Sequence, residues 1–281
     1  MSYKTTVSII IPYYHGNQYI KKLLSVLQNN RILLEKECYS SEIIIINDSP
    51  DEKIETFDNK LFDGVKIITN KHNQGIHQSR ENGLKASSGK YITFLDQDDI
   101  ISNNALVNQI HHIKDYDFVV GNGYSTDHSQ KHELYPSVKD QKKCLSLRYY
   151  IYYTCPIISP GLVMIKKDTI PNEWKDNILK HNGSDDFYLW MLMLLNGARG
   201  TINRNHVYTH IYTGENTSLD ASYMRESTKE CVDNLRGKLS DWDLNRIMRR
   251  ADYYAYSNGT IKDKLKYIDV GFFRFLFGKI L

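Results

Sequence analysis

The chain has little of what would place it outside the ordinary globular proteins. Its 4 cysteines, Cys38, Cys144, Cys155 and Cys231, lie far apart with no C-x-x-C spacing. That excludes a disulfide framework and a zinc module, and it suits a reducing compartment. No apolar run is long enough to cross a bilayer, and Met1 to Thr6 lead into a strand-like run without a signal segment. A cytoplasmic protein is therefore expected, or one held at the inner face of the cell membrane. Internal repeats and low-complexity linkers are missing as well. The formal net charge of +3 over 281 residues is too small to argue for nucleic acid. What imbalance exists is local, because residues 221–281 hold 12 Lys+Arg against 8 Asp+Glu, while residues 1–220 hold 24 against 25. A nearly neutral body with a mildly basic, aromatic tail suggests contact with an anionic surface.

What is present is enough apolar material, 41% of the chain, for one large core with a smaller appendage. The first 100 residues alternate short β-branched runs with helical patterns, the mark of an α/β fold with a mostly parallel sheet and crossover helices. Val7 to Ile11 reads as the first strand. Ile20, Leu23, Leu24 and Leu27 then recur at helical spacing before Glu42 to Ile46 and Val65 to Thr69 return to strand. A polar helix through Ser79 to Ala86 closes at Gly89, and Tyr91 to Leu95 forms a fourth strand. Phe118 to Val120 and Leu162 to Ile165 look like later strands, and Asp185-Asp186-Phe187 opens a helix. Beyond about Asp220 amphipathic helices replace strands, giving a division at 1–220 and 221–281.

The most informative stretch is Tyr91 to Asp99, an apolar strand that ends in Asp96, Asp98 and Asp99. Capping a helix would use one acid, so three at the end of a core strand point to a compensating cation. In open α/β sheets ligands bind at the carboxyl ends of the strands. There the first strand delivers Pro12-Tyr13-Tyr14, the second Asn47-Asp48-Ser49, and the fourth the acidic cluster. An aromatic pair, a hydrogen-bonding acid and a cation site suit a nucleoside diphosphate with its metal.

These residues resemble the inverting glycosyltransferases of family 2, which have the GT-A, Rossmann-like fold. The resemblance is carried by Val7 to Tyr14, Ile46-Asn47-Asp48-Ser49, Asn73-Gln74-Gly75-Ile76 with Arg80, Gly89 to Asp99, and Asp185-Asp186, in that order, and it runs to about Ser218. It implies a nucleotide-sugar donor, UDP-linked or dTDP-linked, a divalent Mn or Mg ion, and direct displacement at the anomeric carbon. By resemblance, Tyr14 stacks on the base beside Pro12 and Gln97, and Asp48 accepts from the base. Arg80 lies near the nucleotide, Asp96 near the ribose, and Asp98 binds the metal. Asp99 is left to cap the next helix or hold a water on the ion.

Displacement with inversion needs a base on the face opposite the leaving group. The family's Glu-Asp pair aligns with Asp185-Asp186, which makes Asp186 the base and Asp185 a shortened acid facing the acceptor. Near Tyr208 to Gly214, where many relatives carry an Arg and then a His, this chain has His210 and Tyr212, and the resemblance implies a late histidine contact to metal or diphosphate through His210. Tyr152 and Tyr153, in a tyrosine-rich segment, suit sugar faces of the acceptor, and a buried sheet edge would use the same residues. The tail from Phe272 to Leu281 suits a membrane interface, and docking on the main domain or on a second copy in a homo-oligomer would bury it equally.

The sequence thus implies a metal-dependent transferase moving a hexose from a nucleotide sugar to a glycan or lipid-linked glycan in bacterial surface polysaccharide synthesis. One alternative is a nucleotidyltransferase, which would carry a glycine-rich basic loop after the first strand, where this chain has His15-Gly16-Asn17. The other is a silent module that binds a sugar nucleotide or glycan.

Overall fold

The computed structural model describes residues 6–55, 60–127, 129–214 and 220–255. In chain order its elements are β1 (Val7–Tyr13), α1 (Asn17–Lys36), β2 (Ser41–Asn47), β3 (Val65–Thr69), α2 (Ile76–Ala86), β4 (Tyr91–Phe94), β5 (Ile100–Ile101), α3 (Ala105–Ile113) and β6 (Phe118–Thr126). They continue with β7 (Lys131–Glu133), α4 (Val138–Lys142), α5 (Leu147–Tyr152), β8 (Val163–Lys166), α6 (Asn172–Asp176), α7 (Asp185–Leu195), β9 (Gly200–Ile211), α8 (Ala221–Asn234) and α9 (Asp241–Ala255).

One sheet runs in the order β3-β2-β1-β4-β8-β6-β9-β5, with β7 paired to β6. The first four strands are mutually parallel, β8 runs antiparallel between β4 and β6, and β9 is parallel to β6. The continuous apolar runs Ile9-Ile10-Ile11 and Ile43 to Ile46 explain the centre, since a parallel strand covered on both faces has no solvent side to alternate with. Each such residue stabilises the fold by about 1.5–3 kcal/mol on burial. Helix α1 buries Ile20, Leu23, Leu24, Leu27 and Leu34 against this layer. Helix α2 approaches so closely that a Cβ on Gly83 would lie 2.2 Å from Ile10 Cγ2. It begins at Ile76, three residues before the expected Ser79, because Gly75 at φ +85° turns the chain directly into the helix.

Register fixes where the strands deliver their ends. Tyr13 pairs with Asn47 and Ile10 with Phe94, so Tyr14, Asp48 and Asp96 emerge along one edge. Helices α8 and α9, with the Leu235 cap of α8, contribute Cys231, Val232, Leu235, Leu244 and Ile247 to the same core as the sheet. Among the described residues no helix is long and apolar enough to cross a membrane. The Phe272 to Leu281 tail lies outside the described residues.

Candidate active site

Asp48 sits just past β2 and is buried. Its Oδ1 accepts from Asn70 Nδ2 and the Gln74 amide, both at 2.8 Å, and its Oδ2 accepts from the Gly75 amide at 2.8 Å. The carboxylate therefore pins the turn that launches α2. Tyr14 is 51% exposed at the end of β1. Its backbone is held by Gln97, whose Oε1 accepts the Tyr14 N–H at 3.0 Å and whose Nε2 donates to the Tyr14 carbonyl at 2.8 Å. Pro12, half-buried one residue before the strand's end, pairs with Ile46.

Arg80, on α2, is 4% exposed. Its Nη1 donates to Asp185 Oδ2 at 2.6 Å and its Nη2 to Asp96 Oδ1 at 2.7 Å. Burial would lower its pKa, but the two carboxylates outweigh it and hold the guanidinium protonated well above the usual arginine range. Asp96 Oδ2 also accepts from Ser159 Oγ at 3.0 Å. Both acids are thus engaged internally, and Asp185, 1% exposed, faces Arg80 rather than an open acceptor surface.

The other acids of the β4 turn separate in role. Asp99 caps no helix. It is buried, and its Oδ2 accepts from His210 Nδ1 at 2.9 Å and from the Tyr208 hydroxyl, while its Oδ1 accepts from the Ile211 amide at 2.7 Å. These bonds tie the acidic turn to the end of β9. Asp98, half-buried, accepts no hydrogen bond from another residue among the described residues. Its carboxyl is pushed up to about 6 by burial and by the charges of Asp99 and Asp96. It borders a cleft of about 360 Å³ shared with Tyr19, Lys22 and Ile211.

An acid destabilised by its own neighbours is what a bound cation would relieve. With His210 Nδ1 donating to Asp99, its Nε2 would be left to coordinate such an ion, the usual carboxylate–histidine arrangement behind a metal. Burial alone would lower the His210 pKa, but the Asp99 hydrogen bond and the nearby carboxylates raise it. Among the described residues no three His, Cys, Asp or Glu side chains form a ligand cluster. Mg²⁺ and Mn²⁺ at phosphate sites need only one or two protein ligands, with phosphate oxygens and water completing the shell.

Asp186 follows Asp185 in the first turn of α7, where the helix N-terminus favours negative charge. It is half-buried, and burial followed by the Asp185 charge pushes its carboxyl up to about 7. The loop leading to it is fastened from two sides. Asn182 Oδ1 accepts the Ile76 amide at 3.0 Å, and a Cβ on Gly75 would lie 2.6 Å from that same oxygen. From α8, Ser227 Oγ accepts the Ser184 amide at 3.1 Å, Glu230 pairs with His181 at 2.6 Å, and the Tyr223 hydroxyl accepts the Asn182 amide at 3.1 Å.

Most of the residues expected from sequence therefore meet in one place, with Arg80 joining the Asp96 side to the Asp186 side. Tyr152 and Tyr153 are placed differently. Tyr153 stacks on Tyr149 with ring centroids 4.9 Å apart, and Tyr152 turns toward α9. Ser159, Tyr208 and Asn182 are parts of the site that sequence reasoning did not single out. Only Ser159 carried a local signal, in Ser159-Pro160-Gly161, where its Oγ accepts the Gly161 amide at 3.3 Å.

The sheet edge thus gathers an exposed aromatic, an acid without a protein partner among the described residues and a carboxyl raised toward neutrality. The chain belongs to glycosyl transferase family 2, whose profile matches residues 8–171. It is 28% identical over 215 residues to an uncharacterized glycosyltransferase of Rickettsia bellii, covering 76% of this chain and 30% of that protein. It is 28% identical over 110 residues to the minor teichoic acid biosynthesis protein GgaB of Bacillus subtilis, covering 38% of this chain and 12% of that one. The chain thus spans less than a third of the length of either relative. In fold it resembles S. aureus TarS in complex with UDP, with a TM-score of 0.65 at 16% identity over 95% of this chain and 76% of that one.

Proposed function

We propose that this protein transfers a hexose from a UDP-linked sugar, with inversion, to a hydroxyl of a bacterial surface glycan or its lipid-linked precursor, with Mn²⁺ or Mg²⁺ bound. The observation that carries the reading is Asp186, a carboxyl raised to about 7 and joined through Asp185 and Arg80 to the strand end bearing Asp96 and Asp98. A base is most effective when its pKa lies near the working pH, and this one lies on the α7 side while the donor-side acids lie on β4. Tyr14 presents its ring for base stacking beside Pro12 and Gln97, and Asp48 supports the nucleotide side by fixing the Gln74-Gly75 turn. Asp98 and His210 Nε2 would hold the ion. When bound, it stabilises the negative charge that develops on the departing diphosphate. Asp186 takes the acceptor hydroxyl's proton as that oxygen attacks the anomeric carbon, and the nucleoside diphosphate leaves from the opposite face.

The donor class is supported by the likeness to a structure holding UDP and to another TarS structure holding UDP-GlcNAc, and the acceptor class by GgaB. The test is Asp186→Asn with a UDP-sugar panel and Mn²⁺. Donor binding is expected to survive and transfer to be lost, and turnover retained in this variant would sink the assignment.

A further inference from the structure

Helix α5 reaches in two directions. Its buried Tyr150 packs near Phe187, ring centroids 6.3 Å apart, next in sequence to Asp186. Two residues on, Tyr152 meets α9, its ring 5.9 Å from that of Trp242 at 63°. The Arg246 guanidinium lies over both rings, 4.4 Å from the Tyr152 centroid and 4.5 Å from that of Trp242. Arg148, exposed one turn earlier, approaches the Tyr152 ring at 5.6 Å. The platform is rigidly mounted, because Arg250 Nη1 donates to the Tyr150 and Ile151 carbonyls at 3.0 and 3.3 Å and fastens α9 to the end of α5.

Resting on the transferase reading above, we infer that Tyr152, Trp242, Arg246 and Arg148 form an acceptor subsite for an anionic glycan, one with phosphodiester or carboxylate groups between its sugars. Trp242 is 58% exposed, a large ring open to water. Indole and phenol rings pack on the C–H faces of sugars, while guanidinium groups bind phosphate or carboxylate oxygens in pairs. Among the described residues neither Arg148 nor Arg246 pairs with an acid, so both guanidinium groups are available to an anionic ligand. A platform of rings and guanidinium groups, rather than aliphatic chains, favours a charged sugar chain over lipid acyl chains. Tyr150, two residues before Tyr152 on the same helix, packs near Phe187 beside the proposed base, so the platform and Asp186 are mounted on packed elements.

The tryptophans supply the test. Trp174 and Trp190 are 0% and 2% exposed, so of the 3 in the chain only Trp242 is open to a quencher. The full chain is titrated with a phosphodiester-linked glycerol polymer, with neutral dextran of similar length, and with phosphatidylglycerol vesicles, while acrylamide quenching is followed. The polymer is expected to blue-shift the emission and suppress the quenching, and dextran to do neither. Arg246→Gln is expected to raise the ratio of acceptor KM to donor KM about tenfold, with Arg246→Lys recovering part of the loss. Equal protection by dextran, protection by the vesicles alone, or a Trp242 already resistant to acrylamide without ligand would overturn the inference. UDP-sugar hydrolysis by the wild-type protein is measured in parallel. Its absence would count against the transferase reading and leave the quenching result to decide the subsite.

Discussion

Arg80 Nη1 and Asp185 Oδ2 lie 2.6 Å apart, both almost fully buried, and through this contact α2 is bound to the first turn of α7. The guanidinium's other arm holds Asp96, so one side chain joins the acid that follows β4 to the acidic start of α7. Removing it leaves the buried Asp185 and the half-buried Asp96 without a counter-charge. Arg80→Ala is therefore expected to destabilise the fold by about 3–5 kcal/mol in urea melts. Arg80→Lys, which keeps the charge without the fork, should fall between that variant and the wild type. Wild-type stability in Arg80→Ala would show that the pair contributes nothing.

As the proposed base, Asp186 is expected to set the acid limb of the pH–rate profile. Its carboxyl stands at about 7 and must be ionised to accept a proton, so kcat should fall about tenfold per unit as pH drops below 7. The sign for stability is opposite. A carboxyl raised in the folded state contributes stability that is complete below its unfolded value of about 4 and is lost as pH rises through 7. Asp186→Asn should consequently melt at a higher temperature than wild type at pH 8 and lose that advantage near pH 4. A lower Tm at pH 8 would count against the assigned shift.

Asp98 is destabilised for the same electrostatic reason, and an ion is the expected remedy. In the wild type, Mn²⁺ with UDP should raise Tm well beyond either alone, and a chelator should abolish the gain. Asp98→Ala should show no metal-dependent gain. If the variant keeps it, Asp98 is not the ligand.

Asp48 makes three hydrogen bonds to the 70–75 turn, two of them to backbone amides. Asparagine would set an N–H donor against one of those groups, at a cost of about 1–3 kcal/mol. Amide exchange at Gln74 and Gly75 should accelerate in Asp48→Asn, and donor KM should rise. Unchanged exchange would mean that the turn is held elsewhere.

How far the sequence could be read depended on the range of each interaction. The β1, β2 and β4 runs announced themselves by composition, and their ends fell on one edge because parallel register leaves little freedom. The Asp185-Asp186 pair was visible as an acidic helix start. The partners of those acids were not, because Arg80 lies 105 residues from Asp185 and Tyr208 lies 109 from Asp99. No local pattern encodes such distances. Asp99 looked like a helix cap for that reason, and its true partners on β9 emerge only when the sheet closes. Tyr152 fell in a segment rich in tyrosine, and composition alone could not say that its ring would turn to α9. The role of α8 was hidden too, since the loop before Asp186 meets Ser227 and Glu230 only by tertiary packing.

Gln97 has a wider consequence than its two bonds. By accepting the Tyr14 N–H and donating to the Tyr14 carbonyl, its amide behaves as an extra rung between strand ends that no longer pair by backbone. On the proposed reading, a base held at Tyr14 and an ion held at Asp98 would each restrain the same Gln97-linked backbone. Base affinity and cation affinity would then be two measurements of one rigidity.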